Sequence, residues 1–176
     1  MVGYTAGTFP DQTSAGGGDA FLFGLDRGGN HLWSKTFGDS SYGRSIAADS
    51  QGNVVVDGHF FSAIDFGGGS LPSAGGADFF LAKLDANGKH VWSKRFGDAQ
   101  DQFLLRVAVD DADKVIASAG FVGAVDFGGG SLAPIGTEDM FVAQFDPSGS
   151  YLWDKHWGGQ GAFIRADGVG VDPGGN

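Results

Sequence analysis

The chain has 176 residues, 33 of them glycine and 5 proline, with 41% apolar residues, no cysteine and a formal net charge of -10. The apolar fraction excludes disorder and the glycine content argues against a helical bundle. The missing cysteine excludes disulfides and thiolate zinc sites, and the acidic surplus argues against a nucleic-acid partner, since phosphate binding needs a basic face.

In chain order, Met1-Val2-Gly3-Tyr4 lacks a basic region followed by an apolar run, so no signal peptide is expected here. Val2 to Phe9 reads as a strand. Asp19-Ala20-Phe21-Leu22-Phe23-Gly24-Leu25-Asp26 is a phenylalanine-rich strand, and a glycine-bearing turn leads from it to Leu32-Trp33-Ser34-Lys35-Thr36-Phe37-Gly38. A small-residue strand follows at Ser45 to Asp49, then Val54 to Phe60, then a loop carrying Asp65-Phe66-Gly67-Gly68-Gly69-Ser70-Leu71. From there the pattern recurs. Phenylalanine-rich strands return at Asp78 to Asp85 and Asp139 to Asp146, and tryptophan strands at Val91 to Gly97 and Leu152 to Gly158. Small-residue strands return at Arg106 to Asp110 and Gly168 to Asp172, and the loop is unchanged at Asp126 to Leu132. Trp33, Trp92 and Trp153 stand 59 and 61 residues apart.

Runs of Val, Ile, Phe and Trp bounded by Gly, Asp, Asn and Ser predict short strands and hairpins. Four such strands per repeat, at this length, predict an all-β chain built as a β-propeller of three four-stranded blades. The small-residue strand is expected innermost and the tryptophan strand outermost. The repeats cover about 1–38, 39–97 and 98–158, with 159–176 a spare innermost strand, all in one domain of 1–176.

The repeat is out of phase with the blade. The first unit begins at its second strand, with Gly3 set equivalent to Gly58 and Gly120, and so lacks an innermost strand. Three blades are fewer than the four to eight of a usual ring. Two chains closing as a six-bladed homodimer by strand exchange would satisfy both ends; the alternative is that the chain belongs to a longer propeller. The expected seam residues are Val2, Gly3, Tyr4, Val169, Val171 and Asn176.

The run Gly3-Tyr4-Thr5-Ala6-Gly7-Thr8-Phe9 with Gly17-Gly18-Asp19-Ala20-Phe21-Leu22 resembles the SBBP (seven-bladed β-propeller) repeat of bacterial proteins. The blocks at Asp65 to Leu71, Asp78 to Asp85 and Trp92 to Gly97 resemble the version found in large myxobacterial surface or secreted proteins. The resemblance implies a propeller fold, a secreted or cell-surface setting and a parent of about seven blades. It brings no catalytic signature.

Chemistry-bearing motifs are sparse. His31, His59, His90 and His156 form no pair with metal-binding helix spacing, and no nucleophile elbow is present. The aspartates ending strands at 26, 49, 85, 110, 146 and 172 suit turn hydrogen bonding; calcium is the other chemistry open to them. The Phe66 and Phe127 loops lack the Lys-Ser/Thr of a phosphate cradle. No catalytic residue, metal or cofactor is therefore assigned. The expected function is a non-catalytic scaffold or binding module, with a lectin-like glycan binder as the alternative. Trp157, Phe66 and Phe127 are its candidate ligand-facing residues. A homodimer, further blades, a protein or a glycan are the expected partners, with no nucleic acid and no membrane span.

Overall fold

The structure is a computed structural model that describes residues 2–5, 8–9, 12–13, 18–103, 105–161, 164 and 168–172. The described elements are all β. No helix among the described residues is long and apolar enough to cross a membrane.

Three antiparallel sheets repeat one plan. The second sheet holds β6 (Ser41–Ala48), β7 (Val54–Phe60), β10 (Asp78–Leu84) and β11 (His90–Phe96), hydrogen-bonded in the order 6-7-10-11. The third repeats it with β12 (Arg106–Val109), β13 (Val115–Phe121), β16 (Asp139–Phe145) and β17 (Tyr151–Trp157). The first has three strands, β1 (Val2–Thr5), β4 (Asp19–Leu25) and β5 (His31–Phe37), in the order 1-4-5. The small-residue strand thus lies at one edge and the tryptophan strand at the other, as the repeats predict. Among the described residues the first sheet has no strand equivalent to β6. Residues 168–172 belong to no strand in the chain.

Pairing register corrects one equivalence. Asp78 faces Phe60 on β7, Asp139 faces Phe121 on β13, and Asp19 faces Thr5 on β1. Gly3 therefore matches Gly58, but Gly120 matches His59, one position on from the glycine match expected. The turns entering β7 and β13 have equal length, so no residue is inserted before Gly120. A one-residue slip would turn every side chain of the strand to the wrong face.

The hairpin turns are built by their aspartates. Asp49 Oδ1 accepts from Gln51 N at 2.9 Å and Asn53 N at 2.8 Å, and Asp110 Oδ1 accepts from Ala112 N and Lys114 N at 2.9 and 2.8 Å. Asp26, Asp85 and Asp146 repeat this on the other hairpin of each unit. These are the Asx bonds expected of short polar side chains at turns.

The long connections are folded rather than open loops. They carry two-stranded hairpins: β2 (Thr8–Phe9) with β3 (Gln12–Thr13), β8 (Ala63–Asp65) with β9 (Ser70–Pro72), and β14 (Val125–Asp126) with β15 (Ser131–Leu132). Asp65 and Asp126 cap the glycine tips through Gly67 N and Gly128 N, both at 2.7 Å. Buried Asp139 anchors the returning chain by accepting from Ile135 N at 2.7 Å and Gly136 N at 3.2 Å.

The core lies between sheets, in two clusters that share ten equivalent positions. One joins Ala20, Leu22 and Phe37 of the first sheet to Val56, Phe60, Ile64, Phe66, Phe80, Ala82 and Leu84 of the second unit. The other joins Phe79, Leu81 and Phe96 to Ala117, Phe121, Val125, Phe127, Phe141, Ala143 and Phe145. Alternate residues of each strand serve one interface, as the two-residue period requires.

Candidate functional site

The feature that most distinguishes this molecule is a contact made twice. Trp33 on β5 reaches across to the second sheet and donates from Nε1 to Ala86 O at 3.0 Å. Trp92 on β11 does the same to Pro147 O at 3.2 Å. Each indole lies over a turn glycine. A Cβ on Gly88 would come within 3.1 Å of Trp33 and 2.9 Å of Lys35 Cε, and one on Gly149 within 2.8 Å of Trp92 and 3.2 Å of Lys94 Cε. Phe37 then packs on Phe66 at 4.7 Å between ring centroids, and Phe96 on Phe127 at 5.0 Å. A Trp-x-Lys-x-Phe strand clasping the following unit is therefore the interface device.

Residues equivalent to the two sides of this contact stand exposed on the third and first sheets. On the third sheet, Trp153 and Trp157 are 40% and 51% exposed, whereas Phe37 and Phe96, equivalent to Trp157, are each 6% exposed. Trp153 Nε1 turns back within its own sheet, donating to Gln144 Oε1 at 2.8 Å. On the first sheet, Gly29 matches Gly88 and Gly149 but has no atom within 4 Å of a Cβ built there. Leu25 is 48% exposed where its equivalents Leu84 and Phe145 are fully buried.

Two of the residues expected to face a ligand do not. Phe66 and Phe127 are each 4% exposed, because the tip of each hairpin folds its phenylalanine into the wedge between sheets. Trp157 is exposed as expected. Val2, Gly3 and Tyr4 lie on β1, the edge strand of its sheet. Val169 and Val171 are half-buried outside any strand, and Asn176 lies outside the described residues.

One backbone bond made on entry to the second and third sheets recurs after β17. Ser41 N donates to Gly18 O and Gln102 N to Ala77 O as the chain enters the second and third sheets; Ile164 N donates likewise to Glu138 O at 3.3 Å. Four residues after Ser41 and Gln102 stand Ser45 and Arg106, and four after Ile164 stands Gly168. By position in the sequence Gly168 thus corresponds to Ser45 and Arg106.

Sequence reasoning missed a polar group where β6, β7 and β12 meet. The Ser45 hydroxyl donates to buried Asp57 and accepts from Val107 N at 3.0 Å, tying two sheets together. Burial, offset by Ser45 and by the charges of Arg106 and Arg44, pushes the Asp57 carboxyl up to about 7. Two residues on, burial and then the Arg44 charge pull His59 down to about 4. His59 stacks on Tyr42 at 5.0 Å and meets Phe103 edge-on at 4.9 Å, with exposed Phe61 beside them. At the repeat equivalents of Tyr42, His59 and Phe61 only Phe103 and Tyr4 are aromatic, and no unit repeats the full set, so periodicity gave no signal for this cluster.

Lys83 was also unforeseen. It is buried on β10, pairs with Asp49 at 2.9 Å and donates to Pro147 O at 3.3 Å. Burial works against the Asp49 charge, but Lys83 and the Asn53 bonds outweigh it and hold the carboxyl down at about 2.

A cleft of about 320 Å³ opens between the first and second sheets, lined by Leu25, Trp33, Ile46, Val54, Ala86 and other apolar residues and glycines. No group of three or more His, Asp or Glu positioned to hold a metal occurs among the described residues. No protein-family model matches the chain, and no curated protein matches it.

Proposed function

We propose that this chain is a non-catalytic β-propeller scaffold or binding module whose three sheets are blades of a larger ring. The observation that carries the reading is the twice-made Trp-x-Lys-x-Phe clasp together with its two separated halves, Trp153 to Trp157 on one face and Gly29 on the other. A ring supplies what those faces lack. Each blade is then covered on both sides, and the edge of β1 receives a small-residue strand. The turn aspartates support the non-catalytic part, since each commits one oxygen to turn N–H groups and Asp49 also pairs with Lys83. The resemblance to bacterial surface repeats supports a secreted or cell-surface parent.

Joining two copies in one polypeptide tests the ring. If the end faces are interface halves, the fused chain melts at a clearly higher temperature than the single chain at dilution. Equal melting temperatures would remove the ring reading.

A second reading, a carbohydrate-binding propeller, now draws on Tyr42, Phe61 and Phe103 rather than on Phe66 and Phe127. Exposed aromatic faces suit stacking on sugar rings. A glycan array with binding lost in Phe61→Ala would favour it, and an array without hits would dismiss it.

A further inference from the structure

We infer that the partner covering the two end faces is a second copy of this chain, docked head to tail through a Trp153–Gly29 seam; the inference rests on the ring reading above. The two internal interfaces give the geometry. In each, the tryptophan N–H donates to the second residue of the following Asp-initiated turn, Ala86 or Pro147, and its ring covers the glycine two residues later. The third turn, Asp26-Arg27-Gly28-Gly29-Asn30, keeps the same bonding, with Asp26 Oδ1 accepting from Gly28 N and Asn30 N at 2.8 Å. Its acceptor is therefore the Arg27 carbonyl and its platform Gly29, which is open.

On the opposite face, Trp153, Lys155 and Trp157 reproduce Trp33, Lys35, Phe37 and Trp92, Lys94, Phe96. In the seam Trp153 exchanges its bond to Gln144 for one to Arg27 of the second copy. Lys155 lies along the glycine, and Trp157 enters the place held by Phe37 and Phe96. Docking also buries Leu25, as Leu84 and Phe145 are buried within the chain. Continuity with an interface made twice is what selects a copy of this chain over an unrelated protein. Head-to-tail contacts close into rings or run on as filaments. Two copies make six blades, within the usual four to eight; three copies make nine, outside it. The assembly is a closed ring of two.

The test is mass in solution by light scattering, from micromolar to millimolar chain, on the wild type, Gly29→Asn, Trp153→Ala and Gly52→Asn. Asn tolerates the left-handed backbone of Gly29 (φ 80°) and fills the platform. Gly52 has the same conformation (φ 79°) in an open turn of the second sheet, not the sheet that carries Gly29, and serves as the matched control. The wild type and Gly52→Asn should weigh two chains, twice 18.1 kDa. Gly29→Asn and Trp153→Ala should weaken association about thirtyfold or more, as loss of a central aromatic anchor does, with circular dichroism unchanged. An 18.1 kDa wild type at every concentration overturns the inference. So does a dimer indifferent to both seam variants, or a mass that grows past two chains. If the single chain stays monomeric while the fused two-copy chain is stabilised, association of separate chains is overturned and the ring reading stands.

Discussion

Asp57 and His59 stand two positions apart on β7, and burial moves them in opposite directions. Asp57 titrates near 7 in the fold against 3.8 for the ordinary carboxyl, so the native state holds the extra proton and stability falls as pH rises from about 4 to about 7. His59 titrates near 4 against 6.5, so the unfolded state holds the extra proton and stability falls as pH drops from about 6.5 to about 4. Between those limits the two slopes cancel. Asp57→Asn keeps an acceptor for Ser45 N and removes one slope. Denaturant unfolding of this variant should show stability dropping from pH 6.5 to 4.5, by up to roughly 1.4 kcal/mol per unit, while the wild type stays nearly level. A variant as level as the wild type would show that these two groups do not control the profile. The sequence offered Asp57 only as a strand residue, because what moves its pKa is burial against β12, distant in the chain.

At the scale of elements, β5, β11 and β17 are one strand in three surroundings. β5 and β11 lie under a following unit, and among the described residues none covers β17 in that way. Phe96 is packed among Phe127 and Phe145, with ring centroids at 5.0 and 5.6 Å, so Phe96→Ala should cost about 3–5 kcal/mol. Trp157→Ala, at the equivalent place on an exposed face, should change the stability of the isolated chain by only about 0.5 kcal/mol. Urea unfolding at dilution separates them, and equal losses would mean that β17 is already covered. The strand itself was legible from period and composition. So were the Asx turns, since Asp and Gly recur at fixed spacing. The burial of Phe66 and Phe127 was not. Phe-Gly-Gly-Gly reads locally as an exposed loop, and only the hairpin that forms around it turns the ring inward.

At the scale of the whole molecule, charge opposes assembly. Each chain carries a formal -10, and a ring of two brings that charge together twice. Added salt screens the repulsion between copies while leaving apolar burial intact. The dimer fraction should therefore rise between low and physiological ionic strength, read by sedimentation at fixed chain concentration. A fall would indicate a seam held by ion pairs rather than by Trp153, Trp157 and Leu25.

The sequence by itself determined the three-fold repeat, the all-β class, the strand order within each sheet and the missing edge strand of the first. Those follow from local periodicity and from residues that specify their own turns. Only the tertiary structure decided that Gly120 pairs one position away from its apparent match, that the two loop phenylalanines are core, and that Asp57, His59 and Lys83 are buried. It also paired Trp33 and Trp92 each with a turn of the next unit. These depend on which atoms meet across sheets, and burial between distant segments leaves no periodic trace in the chain that makes it.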